Sequence, residues 1–381
     1  MLHALTKVKG DKVIWMVVFF LSILSLLAVY SSTGALAYNK EVNTAYFLIK
    51  HLLVLAFGII LMYFAHLIKY TYFSRLFQIA LYIAIPLLIL TLCIGMNLNE
   101  AKRALPLPFN LSFQTSDLAK LTLIMYLARL LTKKQEVIKD FKSAFIPIML
   151  PVLIVCGLIL PSNLSTAAML FVTSLVLMFI GRINMKYLLI LVGISAAAFA
   201  IFILILSSRP EEKQGRLGTW KSRIENRGTD HEQVQQAQIA VATGGIFGKG
   251  PGNSSQRNFL PHAYSDFIFA IILEEYGLVG GTIVVLLYLI LFFRAVKIVT
   301  KTPRNFGTFL TVGVAFSLVF QAFINMGVAV HLLPVTGQTL PLVSMGGTSI
   351  WFTSLSIGII LSVSKEVQQG PIKEEDHAIA A

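Results

Sequence analysis

The chain is poor in charge. Asp, Glu, Lys and Arg make up 13% of its 381 residues, against 56% hydrophobic residues. A soluble domain carries about twice that share of charge, so a soluble enzyme is excluded and a polytopic membrane protein is expected. Acids are scarcer than bases, 18 against 31, giving a formal net charge of +13. In a soluble protein that excess would suggest nucleic acid. Here most of the Lys and Arg fall in short loops on one side, so no nucleic-acid partner is expected. Cysteine is nearly absent. Cys93 and Cys156 lie in separate apolar stretches, which excludes a disulfide framework and a cysteine metal centre and leaves two inert packing residues.

What is present is a succession of apolar windows. About 20 apolar residues cross a bilayer. Ten such windows are readable, near 13–33, 46–67, 73–96, 117–132, 144–161, 164–181, 186–207, 266–293, 306–329 and 347–365. The expected fold is therefore all-α and integral to the membrane, one polytopic domain over residues 1–365. The first window follows Lys7, Lys9 and Lys12 and precedes Ala35-Leu36-Ala37, which looks like a signal-peptidase site. It is too long for a signal-peptide core and is read as a retained first span.

Basic residues assign the sides. Lys69, Arg75, Arg129, Lys133, Lys139, Arg182, Arg294, Lys301 and Lys365 all fall on the side of the two termini. The short loops opposite hold only Lys40, Lys50, Lys102 and Arg103. Both termini are thus expected to be cytoplasmic. One long loop, 208–265, lies on the outer side between the seventh and eighth spans. It begins with a charged run in which Arg216, Trp220 and Arg223 alternate cation with aromatic. VQQAQIAVA follows, read as a short amphipathic helix lying on the membrane. Residues 366–381 read as a disordered cytoplasmic tail.

The acids that remain in apolar sequence are costly and so mark function. In FLPHAYSDFIFAIILEEYGLVGG (259–281), Asp266 stands where a polar loop enters the eighth span. It is placed to cap that helix, and a capped carboxylate is also a rigid one. Glu274 and Glu275 follow two turns on, about 100° apart, so they are not expected to share a face. Asp117 and Lys120, at i and i+3, share one helical face and either neutralise each other or meet an anionic ligand. GGIFGKGPGNSSQ (244–256) lacks the Walker spacing; its glycine-rich backbone is expected to line a polar cavity with its amides. LLPVTGQTLPLVSMGGTS (332–349), broken by Pro and Gly, is a cavity wall carrying Gln338 and Ser344 and facing Asn325. His262 has no second His or Cys beside it, and no metal site is assigned.

Over about 13–365 the sequence resembles the SEDS family (shape, elongation, division and sporulation), typified by FtsW and RodA. The resemblance rests on the 259–281 segment, on GGIFGKGPGNSSQ and on the 332–349 segment, the last closer to FtsW than to RodA. It implies a peptidoglycan glycosyltransferase of the bacterial cytoplasmic (inner) membrane, polymerising lipid II into glycan strands for septal synthesis. By match to the motifs, Asp266 takes the essential acidic position. Glu274 and Glu275 match the family's Glu pair, and Arg103 and Lys120 a basic pair that handles pyrophosphate. Departures fall around them. A Glu of the family's pattern is Asp117 here, the residue after Arg103 is Ala104, the 161–163 turn lacks its acid, and His262 and Tyr264 replace a Glu and a His.

The implied chemistry is attack of a sugar hydroxyl on an anomeric carbon as lipid pyrophosphate departs. That step needs a base, expected to be Asp266, and positive charge at the leaving group. Lys120, Arg103, Arg216 and Lys249 are the expected cations. A divalent cation, Mg2+ or Mn2+, is the candidate cofactor. Expected partners are a class B penicillin-binding transpeptidase and other divisome membrane proteins. Composition fits equally a lipid II flippase, a RodA-like elongation polymerase, or a subunit that only recruits a partner enzyme.

Overall fold

A computed structural model describes residues 9–39, 41–98, 101–107, 111–208, 229–260, 262–303 and 305–369. A helix stands at each apolar window. These are α1 (Lys12–Ser32), α3 (Thr44–Leu67), α4 (Tyr70–Ile94), α5 (Thr115–Lys133), α6 (Ile146–Ile159), α7 (Leu164–Ile180), α8 (Met185–Ser208), α10 (Ile268–Val299), α11 (Asn305–Ala329) and α12 (Thr348–Gln369). Two shorter helices, α2 (Gly34–Asn39) and α9 (Thr229–Gly244), lie between them. Among the described residues eight helices are long and apolar enough to cross a membrane. The two outside that set are α7, with 17 residues, and α5, which carries Asp117, Lys120, Arg129 and Lys133.

The two described ends of the chain meet at one end of the bundle. Asp11 caps α1 by accepting from Val13 N at 2.9 Å, and its second oxygen takes Arg294 Nε at 2.8 Å. Gly10 N donates to Gln368 Oε1 at 3.2 Å, and Lys365 Nζ to Leu67 O at 3.0 Å. These bonds carry α12 to Gln369, so residues 366–369 are helical rather than part of a disordered tail; 370–381 lie outside the described residues. The core is formed chiefly by α3 on α12, α5 on α4 and α11, and α10 on α1 and α11. Small residues allow close crossings: a Cβ at Gly358 would stand 2.5 Å from Met62 O. In lipid such contact replaces the hydrophobic drive between helices. Cys156 is buried and Cys93 is exposed, both free.

Between α4 and α5 lies a three-stranded antiparallel sheet that the apolar windows did not reveal. Its strands are β1 (Met96–Leu98), β2 (Ala101–Leu107) and β3 (Leu111–Phe113), in that order. It carries Arg103 over the end of the bundle opposite the two termini.

The largest departure lies inside α10. Gly277 has φ 65° and ψ −165°, which no helix tolerates. The Phe269 ring lies 3.5 Å, and Leu273 Cδ2 2.4 Å, from where a Cβ on Gly281 would stand. Twelve residues of straight helix would separate Phe269 from Gly281 by about 18 Å. The element is therefore a hairpin: a short helix, 268–276, folded back against a long one, 278–299. By the sidedness expected from charge, the chain dips into the bundle to Asp266, rises along the short helix to Gly277, and descends along the long one. Asp266 then sits about 13 Å below the hairpin's tip.

Candidate active site

The hairpin exposes backbone groups that lipid cannot satisfy. The glycine-rich segment supplies them. Lys249 N and Gly250 N donate to Glu274 O and Glu275 O, both at 2.9 Å, closing the end of the short helix. Leu278 N and Val279 N donate to Gly245 O and Ile246 O at 3.0 and 3.1 Å, opening the long one. The fit is close enough that a Cβ on Gly277 would stand 2.3 Å from Ile246 O, and one on Gly248 2.1 Å from Glu275 O. Both glycines have positive φ. The backbone of this segment thus completes a broken helix.

The two glutamates serve the same joint. Glu274 is fully buried and receives Lys249 Nζ at 2.6 Å, Ser255 N at 3.1 Å, Ser255 Oγ at 2.8 Å, Gln256 N at 3.2 Å and the Ser254 hydroxyl. Glu275, 1% exposed, accepts from Ser254 N at 3.3 Å and from the Ser31 hydroxyl of α1. Arg257 Nη1 donates to Ser31 O at 3.3 Å, completing the tie to α1. The pair faces different ways, as expected, with Glu275 turned toward α1, and the loop 249–257 reaches both carboxylates. Lys249, expected at pyrophosphate, is committed to Glu274. The predicted amphipathic helix is α9, which packs on α10 with Val234, Ala237 and Ala240 buried instead of lying on the membrane.

Asp266 lies at the other end of the short helix. It does not cap: the cap position is Phe267, with no side-chain hydrogen bond. Its carboxylate, half-buried, accepts from Ser265 Oγ at 3.0 Å. Gly337 brings a cation to it, since a Cβ there would stand 3.5 Å from Asp266 Oδ2 and 3.7 Å from Arg103 Nη1. Arg103 is aimed from β2 by its Nε, which donates to Ser162 O at 3.1 Å. Ser162 belongs to the 161–163 turn, whose Asn163 caps α7 by accepting from Thr166 N at 3.2 Å. That turn contributes a carbonyl where the family pattern has an acid. Tyr264 is held above the usual phenol range by burial and then by the Asp266 charge, so its hydroxyl stays neutral.

Segment 332–349 packs against the loop that carries Asp266. Asn325 Nδ2 donates to Asp266 O at 2.9 Å and to Gln338 O at 2.7 Å, and Gln338 Nε2 to Thr166 Oγ1 at 2.8 Å. Ser344 Oγ donates to Ser265 O at 2.6 Å. Lys120 Nζ reaches Gln321 Oε1 at 2.6 Å, with Asp117 Oδ1 at 3.5 Å, and Gln321 Nε2 donates on to Thr339 O at 2.9 Å. Side-chain amides thus connect Lys120 to the Asp266 loop. A small polar cleft opens at Asp117, Lys120, Ser317, Ser349 and Thr353. Three buried side-chain oxygens here have no hydrogen-bond partner: Asp117 Oδ2, Asn325 Oδ1 and Thr336 Oγ1. Such atoms are costly unless water or a polar ligand meets them.

The structure therefore brings Asp266, Arg103, Gln338 and Ser344 together, with Asp117 and Lys120 joined to them through Gln321. It sets Glu274, Glu275 and Lys249 apart. Arg216 lies outside the described residues. Gln321 was missed from sequence, although an amide in an apolar span is itself a signal that a partner waits.

A family model described as "Cell cycle protein", covering FtsW, RodA and SpoVE, matches residues 11–369. Stage V sporulation protein E of Bacillus subtilis is 31% identical over 363 residues, covering 94% of this chain and 98% of that one. A probable peptidoglycan glycosyltransferase FtsW of Thioalkalivibrio sulfidiphilus is 34% identical over 362 residues, covering 92% and 88%. Among solved structures, a chain from a peptidoglycan synthase complex that coordinates polymerization and crosslinking aligns with TM-score 0.75 and 26% identity, over 94% of this chain and 99% of that one. RodA of Thermus thermophilus aligns with TM-score 0.69 and 24% identity, over 94% and 98%, which speaks for the fold. A full-length family match and the shared architecture place this multi-pass membrane protein in the FtsW/RodA/SpoVE family.

Proposed function

We propose that the protein is a peptidoglycan glycosyltransferase that polymerises lipid II, serving septal synthesis. The observation that carries this reading is the pairing of one half-buried carboxylate with one guanidinium across Gly337. Asp266 takes the proton of the acceptor sugar's 4-hydroxyl as its oxygen bonds to the donor's anomeric carbon. The bond from that carbon to the lipid pyrophosphate breaks, and Arg103 and Lys120 stabilise the departing charge. The wall of 332–349 borders the sugars, and the small polar cleft at Asp117 and Lys120 lies on the side of the pyrophosphate. A base contributes about 10²–10⁴-fold to such a step.

A divalent cation suits the pyrophosphate, because Mg2+ is commonly held by one or two carboxylates and substrate phosphates. Among the described residues no group of three or more His, Cys, Asp or Glu would hold an ion unaided. Asp117, whose Oδ2 is buried without a partner, is the carboxylate that would share it with the substrate. When bound, the ion would neutralise leaving-group charge.

The cellular setting is the bacterial cytoplasmic membrane, with a class B penicillin-binding transpeptidase as partner. A relative from a complex that couples polymerization to crosslinking supports that pairing. The flippase reading remains the rival. Purified protein in liposomes, given lipid II in the outer leaflet only, separates the two. Glycan strands formed without partner or flipping support the polymerase, whereas transfer between leaflets without strands sinks it.

A further inference from the structure

The loop bearing Asp266 rests on a turn, 340–345, that is itself strained. Leu342, a bulky residue, has φ 64°, a conformation that costs an L side chain and persists only where neighbours impose it. The two carbonyls flanking Leu342 are both taken by buried hydroxyls from separate helices. Tyr288, on the long arm of α10, donates its hydroxyl to Pro341 O. Ser25, on α1, donates to Val343 O at 2.8 Å. His51 of α3 stands behind Ser25, its Nε2 at 2.7 Å from Ser25 Oγ. A serine hydroxyl has one proton, and Ser25 spends it on a carbonyl that can only accept. His51 Nε2 must therefore carry a proton and donate it to Ser25. All three side chains are at most 2% exposed.

From this turn the linkage runs directly to the reacting group. Leu340 N donates to Ser344 Oγ at 2.8 Å, and Ser344 Oγ to Ser265 O at 2.6 Å. Met345 N donates to Tyr264 O at 2.9 Å. The two residues preceding Asp266 are thus held by main chain and side chain of the same strained turn. We propose that Tyr288 and the Ser25–His51 pair are positioning residues: they clamp the Leu342 turn from two sides and through it fix the Asp266 carboxylate against Arg103.

The proposal rests on Asp266 being the base and predicts a turnover defect rather than a binding one. Misplacement of a reacting group by about 1 Å costs on the order of a hundredfold. Purified Tyr288→Phe and Ser25→Ala proteins should each lose about tenfold or more in kcat for lipid II polymerisation, with KM and melting temperature near those of wild type. His51→Leu should fall as Ser25→Ala does. His51→Gln, whose amide can donate from nearly the same place, should recover most of the loss. Wild-type kcat in both Tyr288→Phe and Ser25→Ala would overturn the proposal, as would losses that follow melting temperature alone or a His51→Gln no better than His51→Leu. Asp266→Asn, assayed alongside, separates the two failures. If that protein is inactive while the clamp variants are normal, only the clamp falls. If it is active, the base assignment and the clamp fall together.

Discussion

The short helix 268–276 has carboxylates at both ends, and they are treated in opposite ways. At the tip, five donors converge on Glu274, and Glu275 is tied through one oxygen to Ser254 N and the Ser31 hydroxyl while its Oε2 is buried without a partner. Below the foot, Asp266 is half-buried, its Oδ2 bordering the glycine that also borders Arg103. Proximity in sequence is therefore a poor guide to role. The acids of one motif divide into a joint and a reacting group because the hairpin at Gly277 turns the helix around.

Substitutions can break that contrast. Asp266→Asn should cost about a thousandfold in turnover, or about 4 kcal/mol of transition-state stabilisation, with an unchanged melting curve. Gly277→Ala should do the reverse. A Cβ at φ 65° directed at Ile246 O should destabilise the fold by about 3 kcal/mol, visible as a drop in detergent-solubilised melting temperature and in folded yield. Arg103→Lys keeps the charge but loses the fork that grips Ser162 O. About a tenfold loss in kcat/KM, or about 1.4 kcal/mol, is expected in steady-state polymerisation. Lys249→Ala should have the smallest effect, about 1 kcal/mol in stability, because four other donors remain on Glu274. If its catalytic loss exceeded its stability loss, Lys249 would belong to the substrate site after all.

Much of the fold was legible. Helices stand at every apolar window, since runs such as 13–33 and 306–329 admit no other structure in lipid. The hairpin was not legible, because 266–293 is long and apolar enough on average to read as a single span. Its trace was present in the Glu274-Glu275 pair followed by Gly277, two acids that no lipid-facing helix would carry. The sheet at 96–113 was hidden by its shortness. Asp266 was legible through its motif, but its depth was not, because depth follows from the reversal. Lys249 reads as an anion site because it is a cation in a glycine-rich loop, and only packing reveals its bond to Glu274.

The most direct test of the contrast is polymerisation of lipid II by purified Asp266→Asn and Glu274→Gln proteins, each scored per folded molecule. The predicted result is no detectable glycan from Asp266→Asn and strands at a near wild-type rate from the folded fraction of Glu274→Gln, with the stability loss confined to the latter. Strand formation by Asp266→Asn at the wild-type rate would contradict the assignment of the reacting carboxylate.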